Sequence, residues 1–357
     1  MDYTIIFISL FVAACFTGII IPVIIQLCQK YRLYDEPNSR KVHSQAIPRL
    51  GGIAFLPGTM LGMAASLIAM HGGIGGNYTF TVSSFVMIAG AIIIYMIGII
   101  DDIKGMEASH KFIIQFVAAI LLPLCKLRID NLHGLFGVYE IPVCISYILT
   151  VFVILLIVNS INLIDGIDGL ASGLAILILA VFIFLFSSLN AIMFCILAAG
   201  LMGTIIVFFI FNFFGKVGKH KIFMGDAGSL LVGYVIAYLA IKYQMDNTET
   251  FTYRENSMLA SYTLVIIPSF DLIRVALSRI KEGKGMFQAD KRHIHHRIMN
   301  MGFTMHQTLF IILGLFAFFC ALNFILNYLN ISFTVVFITD IVIFYLLNLY
   351  IHHHRRN

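Results

Sequence analysis

TVSSFVMIAGAIIIYMIGIIDDIK, residues 81–104, decides the fold class of this chain. From Thr81 to Ile100 no side chain is charged; two adjacent carboxylates, Asp101 and Asp102, then follow, with Lys104 just beyond. A helix of about 20 apolar residues spans the ~30 Å hydrocarbon core of a bilayer, so this stretch reads as a transmembrane helix ending abruptly in charge. Such runs recur about eleven times, near residues 3–28, 51–71, 81–100, 111–126, 141–161, 172–188, 191–211, 229–244, 258–277, 307–327 and 332–351. Only Ser187, Ser188 and Asn190 divide the 172–211 pair. Composition agrees: 60% of the 357 residues are hydrophobic and 11% charged, with a mean hydropathy of +0.95, far from the range of soluble domains. The expectation is an all-α polytopic membrane protein, a single domain over residues 1–357 with two further spans at 307–351.

Charge sidedness sets the expected orientation. With the amino terminus outside, 19 of the 23 Lys and Arg residues fall in inside breaks or beside them, and only Lys126, Arg128, Lys242 and Arg254 lie outside. The positive-inside rule then places the alternate, chemically rich breaks in the cytoplasm. The net charge of +5 reflects this sidedness and gives no reason to invoke nucleic acid. The six cysteines form no CxxC pair and read as small packing residues. The first apolar run is too long for a cleaved signal peptide and stays as a helix. Residues 126–142, with Asn131, Gly134 and Gly137 among apolar residues, suggest an external hairpin.

Four inside breaks carry unusual polar groups, and each also has a plain reading. Asp101-Asp102 alone is equally a solvated helix end, but adjacent carboxylates repel and need a cation or a proton to persist. Asn162-Leu-Ile-Asp165-Gly-Ile-Asp168-Gly has two Asp-Gly steps within five residues, more than a structural turn requires, and points several oxygens into one space. CDP-alcohol phosphotransferases also carry Asp-Gly pairs, but they need Asp-Gly-x-x-Ala-Arg and two further aspartates at helical spacing, absent from residues 165–185. Phe223-Met-Gly-Asp226-Ala-Gly-Ser229 opens a span; it is a fair helix cap, and it is also a place where backbone N–H groups and a divalent ion could share a phosphate. Asp290-Lys-Arg-His293-Ile-His295-His296-Arg297 sets three imidazoles and three cations in eight residues. Phosphate and sugar oxygens suit it better than zinc, which would want a Cys or Glu partner at fixed spacing, and a solvated basic loop is its plain reading. A first break, Asp35 to His43 leading to Pro48-x-x-Gly51-Gly52, is weak alone.

In order, Lys41-x-His43 with Pro48-x-x-Gly51-Gly52, Asp101-Asp102, Asn162-x-x-Asp165-Gly-Ile-Asp168-Gly-Leu, Phe223-Met-Gly-Asp226-Ala-Gly-Ser and His293-Ile-His295-His296-Arg297 resemble the polyprenyl-phosphate N-acetylhexosamine-1-phosphate transferases. The match runs over about residues 31–303. The branch it most resembles is the bacterial undecaprenyl-phosphate N-acetylglucosaminyl 1-phosphate transferases of glycosyltransferase family 4, which start O-antigen, common-antigen or teichoic-acid linkage units. The related phospho-N-acetylmuramoyl-pentapeptide transferases have three consecutive histidines, whereas Ile294 interrupts the run here. The Asn-Pro-Ala that many relatives carry before Phe-Met-Gly-Asp is also missing.

The resemblance implies that the phosphate of undecaprenyl phosphate attacks a UDP-N-acetylhexosamine, most simply UDP-N-acetylglucosamine, and UMP leaves. It implies Mg²⁺, with Mn²⁺ as a substitute, held by Asp226 with Asn162 at the diphosphate. Lys111 would grip the lipid phosphate, Asp101 and Asp102 would orient or deprotonate it, and Asp35 is a further candidate base. Asp165 and Asp168 would shape the metal and nucleotide pocket. Lys41, His43, His293, His295, His296 and Arg297 would bind substrate. The implied setting is the bacterial inner membrane, with the active site at the cytoplasmic face and a homodimer, frequent among relatives, as an expectation. An ion-coupled carrier is the competing class, but it should place charge near the midplane and show repeat symmetry, and neither is evident. Asp340, inside the last run, fits neither reading beyond a packed polar contact.

Overall fold

The structure, a computed structural model, describes residues 3–35, 46–71, 81–245, 254–285 and 292–354. Among them are α1 (Tyr3–Tyr31), α2 (Phe55–Ala69), α3 (Val82–Lys104), α4 (Ala108–Leu124), α5 (Val143–Ile164), α6 (Leu170–Ser188), α7 (Ile192–Phe213), α8 (Gly225–Gln244), α9 (Ser257–Lys281), α10 (Ile294–Met299), α11 (Met305–Tyr328) and α12 (Phe333–His353). Ten of these helices, α2 counted with the short turn Gly51–Ala54 before it, are long and apolar enough to cross a membrane. The protein is therefore polytopic and all-helical in its membrane part, as the apolar runs require. The expected span at 111–126 is the shorter apolar helix α4, 17 residues long, whose first turn is polar because it carries Ser109, His110 and Lys111. The 172–211 stretch divides at Leu189–Ala191, where Asn190 takes a left-handed φ of 53°.

α8 is the hub. It packs on α3, α5, α6 and α9 and on the Gly51–Ala54 turn, and each of its residues except Gly225, Asp226 and Lys242 is buried. Its many small residues, such as Ala227, Gly228, Ser229 and Gly233, let neighbouring backbones come close, the usual means of packing helices where lipid supplies no hydrophobic drive. α1 lies against α2 and α7, and α11 bridges α9, α6 and α12. Two short antiparallel pairs complete the fold. β1 (Tyr34–Asp35) pairs with β2 (Ile47–Pro48), and β3 (Asn131–Leu135) with β4 (Val138–Glu140). The second pair is the hairpin anticipated at 126–142, turning at Phe136-Gly137 with both φ values positive, as a tight hairpin demands.

Asp340 has a partner in the bundle. Fully buried in α12, it accepts from Asn323 Nδ2 of α11 at 2.9 Å, and the same amide donates to Thr263 Oγ1 of α9 at 2.9 Å. One polar contact thus ties the last helix to two others where no water competes. Asp340→Ala is expected to lower stability by about 1–2 kcal/mol. Thermal unfolding of the full chain in detergent, followed by far-ultraviolet circular dichroism, measures it, and an unchanged midpoint would show the contact to be idle.

Candidate active site

The site is built around the amino-terminal turn of α8. Phe223 N donates to Pro48 O at 2.7 Å, Gly51 N to Phe223 O at 2.9 Å and Gly52 N to Met224 O at 2.8 Å. The weak Pro48-x-x-Gly51-Gly52 pattern is thereby explained: its backbone pairs with the Phe-Met-Gly-Asp segment. A Cβ on Gly52 would fall 2.2 Å from the Gly228 nitrogen, so only glycine permits this approach. Gly225 enters α8 with φ +72°, and a Cβ there would meet Asp102 Oδ2 at 2.5 Å.

Asp101 and Asp102 part company at the end of α3. Asp102, 5% exposed, accepts from Asp226 N with Oδ1 at 2.9 Å and from Ala227 N with Oδ2 at 3.0 Å. It caps a helix from outside, placing its negative charge on the positive end of α8. These two amides, expected to face a phosphate, are thus satisfied within the protein. Asp101 instead accepts from Lys111 Nζ at 3.1 Å, and Lys111 also donates a short bond to Asp226 Oδ2. Asn162 Nδ2 reaches Asp226 Oδ1 at 2.9 Å and Ser229 Oγ at 2.8 Å. Four helices therefore converge on Asp226: α3 through Asp101, α4 through Lys111, α5 through Asn162, and α8 itself. One turn deeper, Asn159 Nδ2 donates to Gln115 Oε1 at 2.8 Å and holds α4 to α5.

The Asp-Gly loop closes a second side. Gly169 N donates to Asn212 Oδ1 at 2.7 Å, and Asn212 Nδ2 to Ile222 O at 2.9 Å, so one side chain of α7 fixes the loop to the segment before α8. Lys221 Nζ donates to Asp168 Oδ2 at 2.5 Å. Burial, with the charges of Asp226, Asp168 and Asp102 adding to it, pushes the Asp165 carboxyl up to about 7. In the unfolded chain this group titrates near ~3.9, so the folded protein holds the proton more tightly and loses stability as pH rises between those values. Asp165→Asn cannot ionise. The variant is expected to be more stable than the parent at about pH 8, with the gap narrowing toward about pH 5. Thermal midpoints across that range check it, and a gap independent of pH would contradict it.

The histidine run forms α10 and the residue before it. His295 is 1% exposed and its ring lies over Gly166, where a Cβ would sit 2.1 Å from Nε2. Burial lowers its pKa to about 3, with His296 and His293 adding to the shift, so the imidazole is neutral at physiological pH. His296 packs beside it, ring centroids 4.3 Å apart. His293 Nδ1 pairs with Asp271 of α9. Arg297, also buried, reaches away to α12, donating to Asn348 Oδ1 and, at 2.8 Å, to Asn348 O. Asp35, in β1, lies 3.8 Å from Arg49, the residue after β2. Lys41 and His43 lie outside the described residues.

Ser229, Asn212, Lys221 and Asp271 were not expected in the site. Asp271 had a visible signal, an ionisable residue with Arg274 three positions on inside an apolar run; Ser229 stood inside the Phe-Met-Gly-Asp-Ala-Gly-Ser motif with no role assigned to it, and Asn212, a small polar residue in apolar context, had no signal.

Asp226 lies close enough to Asp101, Asp102 and Asp165 to influence the charge of each, and Lys111 is the cation bonded to Asp101 and Asp226. Among the described residues, no three His, Cys, Asp or Glu side chains converge to hold a metal alone. Such a donor set fits a divalent ion that takes one or two carboxylates and fills its other positions with phosphate oxygens and water.

The glycosyl transferase family 4 model matches residues 84–244, which include every one of these carboxylates together with Lys111 and Asn162. A probable undecaprenyl-phosphate N-acetylglucosaminyl 1-phosphate transferase of Bacillus subtilis is 31% identical over 305 residues, covering 85% of this chain and 80% of that protein. The undecaprenyl-phosphate alpha-N-acetylglucosaminyl 1-phosphate transferases of Salmonella typhi and Escherichia coli K12 are 28% and 27% identical, over 83% and 80% of this chain and 77% and 74% of their own lengths. With a relative this similar over most of both chains, and with the Asp226 cluster inside the matched region, the chain belongs to glycosyl transferase family 4.

Proposed function

We propose that the protein transfers N-acetylglucosamine 1-phosphate from UDP-N-acetylglucosamine to undecaprenyl phosphate. The acceptor phosphate oxygen bonds to the β-phosphorus, the bond from that phosphorus to the bridging oxygen breaks, and UMP departs with the electron pair. The observation that carries this is the convergence of Asp101, Lys111, Asn162 and Asp226 at the mouth of an apolar bundle. A lipid phosphate, anchored by its own chain, would meet Lys111 there without leaving the membrane.

Each residue then has a task. Lys111 binds the acceptor phosphate as a point charge, and Asp101 opposite sets where that ammonium sits. Asp102 keeps the α8 turn in place and so aims Asp226. Asn162 orients the Asp226 carboxylate. Mg²⁺ held at Asp226, with Asn162 beside it, would supply charge neutralisation for the diphosphate and the leaving UMP. Acceptor phosphate is already a competent nucleophile at neutral pH, so no covalent enzyme intermediate is needed.

The distribution of basic residues supports an amino terminus outside and this site facing the cytoplasm of a bacterial inner membrane, where soluble UDP-sugar is made. Purified protein incubated with labelled UDP-N-acetylglucosamine, Mg²⁺ and undecaprenyl phosphate is expected to release UMP. Release of UDP would overturn the reaction class, because it signals transfer of the sugar alone. Substituting UDP-N-acetylgalactosamine in the same assay tests the sugar.

A further inference from the structure

Asp271 belongs to none of the motifs above and makes no bond to the Asp226 cluster, yet it is 2% exposed inside α9. A carboxylate held that deep in a membrane helix is costly unless donors surround it. Three groups do. Arg274 Nη2 donates to Oδ1 at 2.7 Å, His293 Nδ1 to Oδ2 at 2.9 Å, and the Ile294 amide to both oxygens at 3.1 Å. Arg274 also donates to the carbonyl of Arg292 at 2.5 Å, so residues 292, 293 and 294 are each gripped by one turn of α9.

We propose that Asp271 is a positioning residue for the transfer reaction, acting through His293. The carboxylate fixes the tautomer and the ring plane: Nδ1 carries the proton it donates to Asp271, and Nε2 is the acceptor nitrogen left to take a hydrogen bond from a hydroxyl group of the nucleotide sugar. The orientation passes along the run. The His293 and His295 rings lie nearly parallel, 6° apart at 6.1 Å, and His295 rests on Gly166 between Asp165 and Asp168. Asp271 thereby ties the apolar α9 to the Asp165–Asp168 loop through the histidine run. This rests on His293 contacting substrate, as the reading above has it.

The test compares Asp271→Asn in the full-length protein and in a His293→Ala background, reading UMP release. The Asn side chain keeps the volume and one acceptor oxygen but loses the charge. Expected is a kcat about 10–100-fold lower in the native background, KM for undecaprenyl phosphate within about two-fold, and almost no further loss when His293 is already absent. An equal loss in both backgrounds would show Asp271 acting as scaffold only, and full activity of Asp271→Asn or of His293→Ala would remove the proposal. If Asp271→Asn does not fold, Asp271→Glu, which keeps the charge but displaces it, gives the same comparison. Failure of the unmodified protein to release UMP would instead sink the reaction itself.

Discussion

Asp226→Asn is expected to lower UMP release by about a thousand-fold or more while leaving the folded protein intact. Asp226 is where the site's connections meet: Oδ2 takes Lys111 and Oδ1 takes Asn162 at 2.9 Å. An amide cannot supply the second acceptor oxygen, so Lys111 and Asn162 lose a common anchor. In the proposed reaction the carboxylate is also the principal charge available to a divalent ion, and an amide is a far poorer ligand for a hard cation. Folding should not suffer. α8 is held by its buried face, and the charge lost from beside Lys111 is offset by relief of the repulsion that Asp226 exerts on Asp102 and Asp165. The thermal midpoint in detergent is therefore expected to stay within a few degrees of that of the parent. Activity within ten-fold of the parent would discard Asp226 as the centre of the site.

Asp102→Ala and Asp101→Ala are expected to fail in different ways, although the residues are adjacent. Asp102 satisfies the Asp226 and Ala227 amides with its two oxygens, and both amides are at the buried start of the central helix. Loss of that cap should cost about 2–4 kcal/mol, because two donors are stranded and a favourable charge at the helix end disappears. Asp101 is bonded to Lys111 at a half-buried position, so its loss should move the midpoint little while turnover collapses. Asp102→Asn, retaining one acceptor, should fall between. The chain has no Trp, so circular dichroism at the helix band is the natural probe. Equal destabilisation by the two alanine variants would refute the division of labour.

That division was out of reach of the sequence. Asp101-Asp102 reads as a pair, and both were expected to handle the acceptor. An α-helix turns by about 100° per residue, so neighbours on the chain face different partners, and which partner each meets depends on where α8 begins in space. Arg297 teaches the same point. In the sequence it completes a run of substrate-binding side chains; in the fold it is turned to Asn348, fifty-one positions away. Pro48, Gly51 and Gly52 looked like ordinary loop residues because their reason lies in the Phe223–Met224 backbone they pair with.

The spans were legible for the opposite reason. A bilayer requires each crossing segment to satisfy its own backbone and to be about 20 residues long, both local properties, so hydropathy alone located the helices. Motif order, again local, led to the family. The sequence by itself thus determined that this is a polytopic membrane transferase and which breaks carry its chemistry. Tertiary structure alone decided which carboxylate caps a helix, which faces Lys111, and that Asp271 and Asn348 hold the histidine helix, because each of those pairings joins residues from different helices whose contact depends on packing rather than on spacing along the chain.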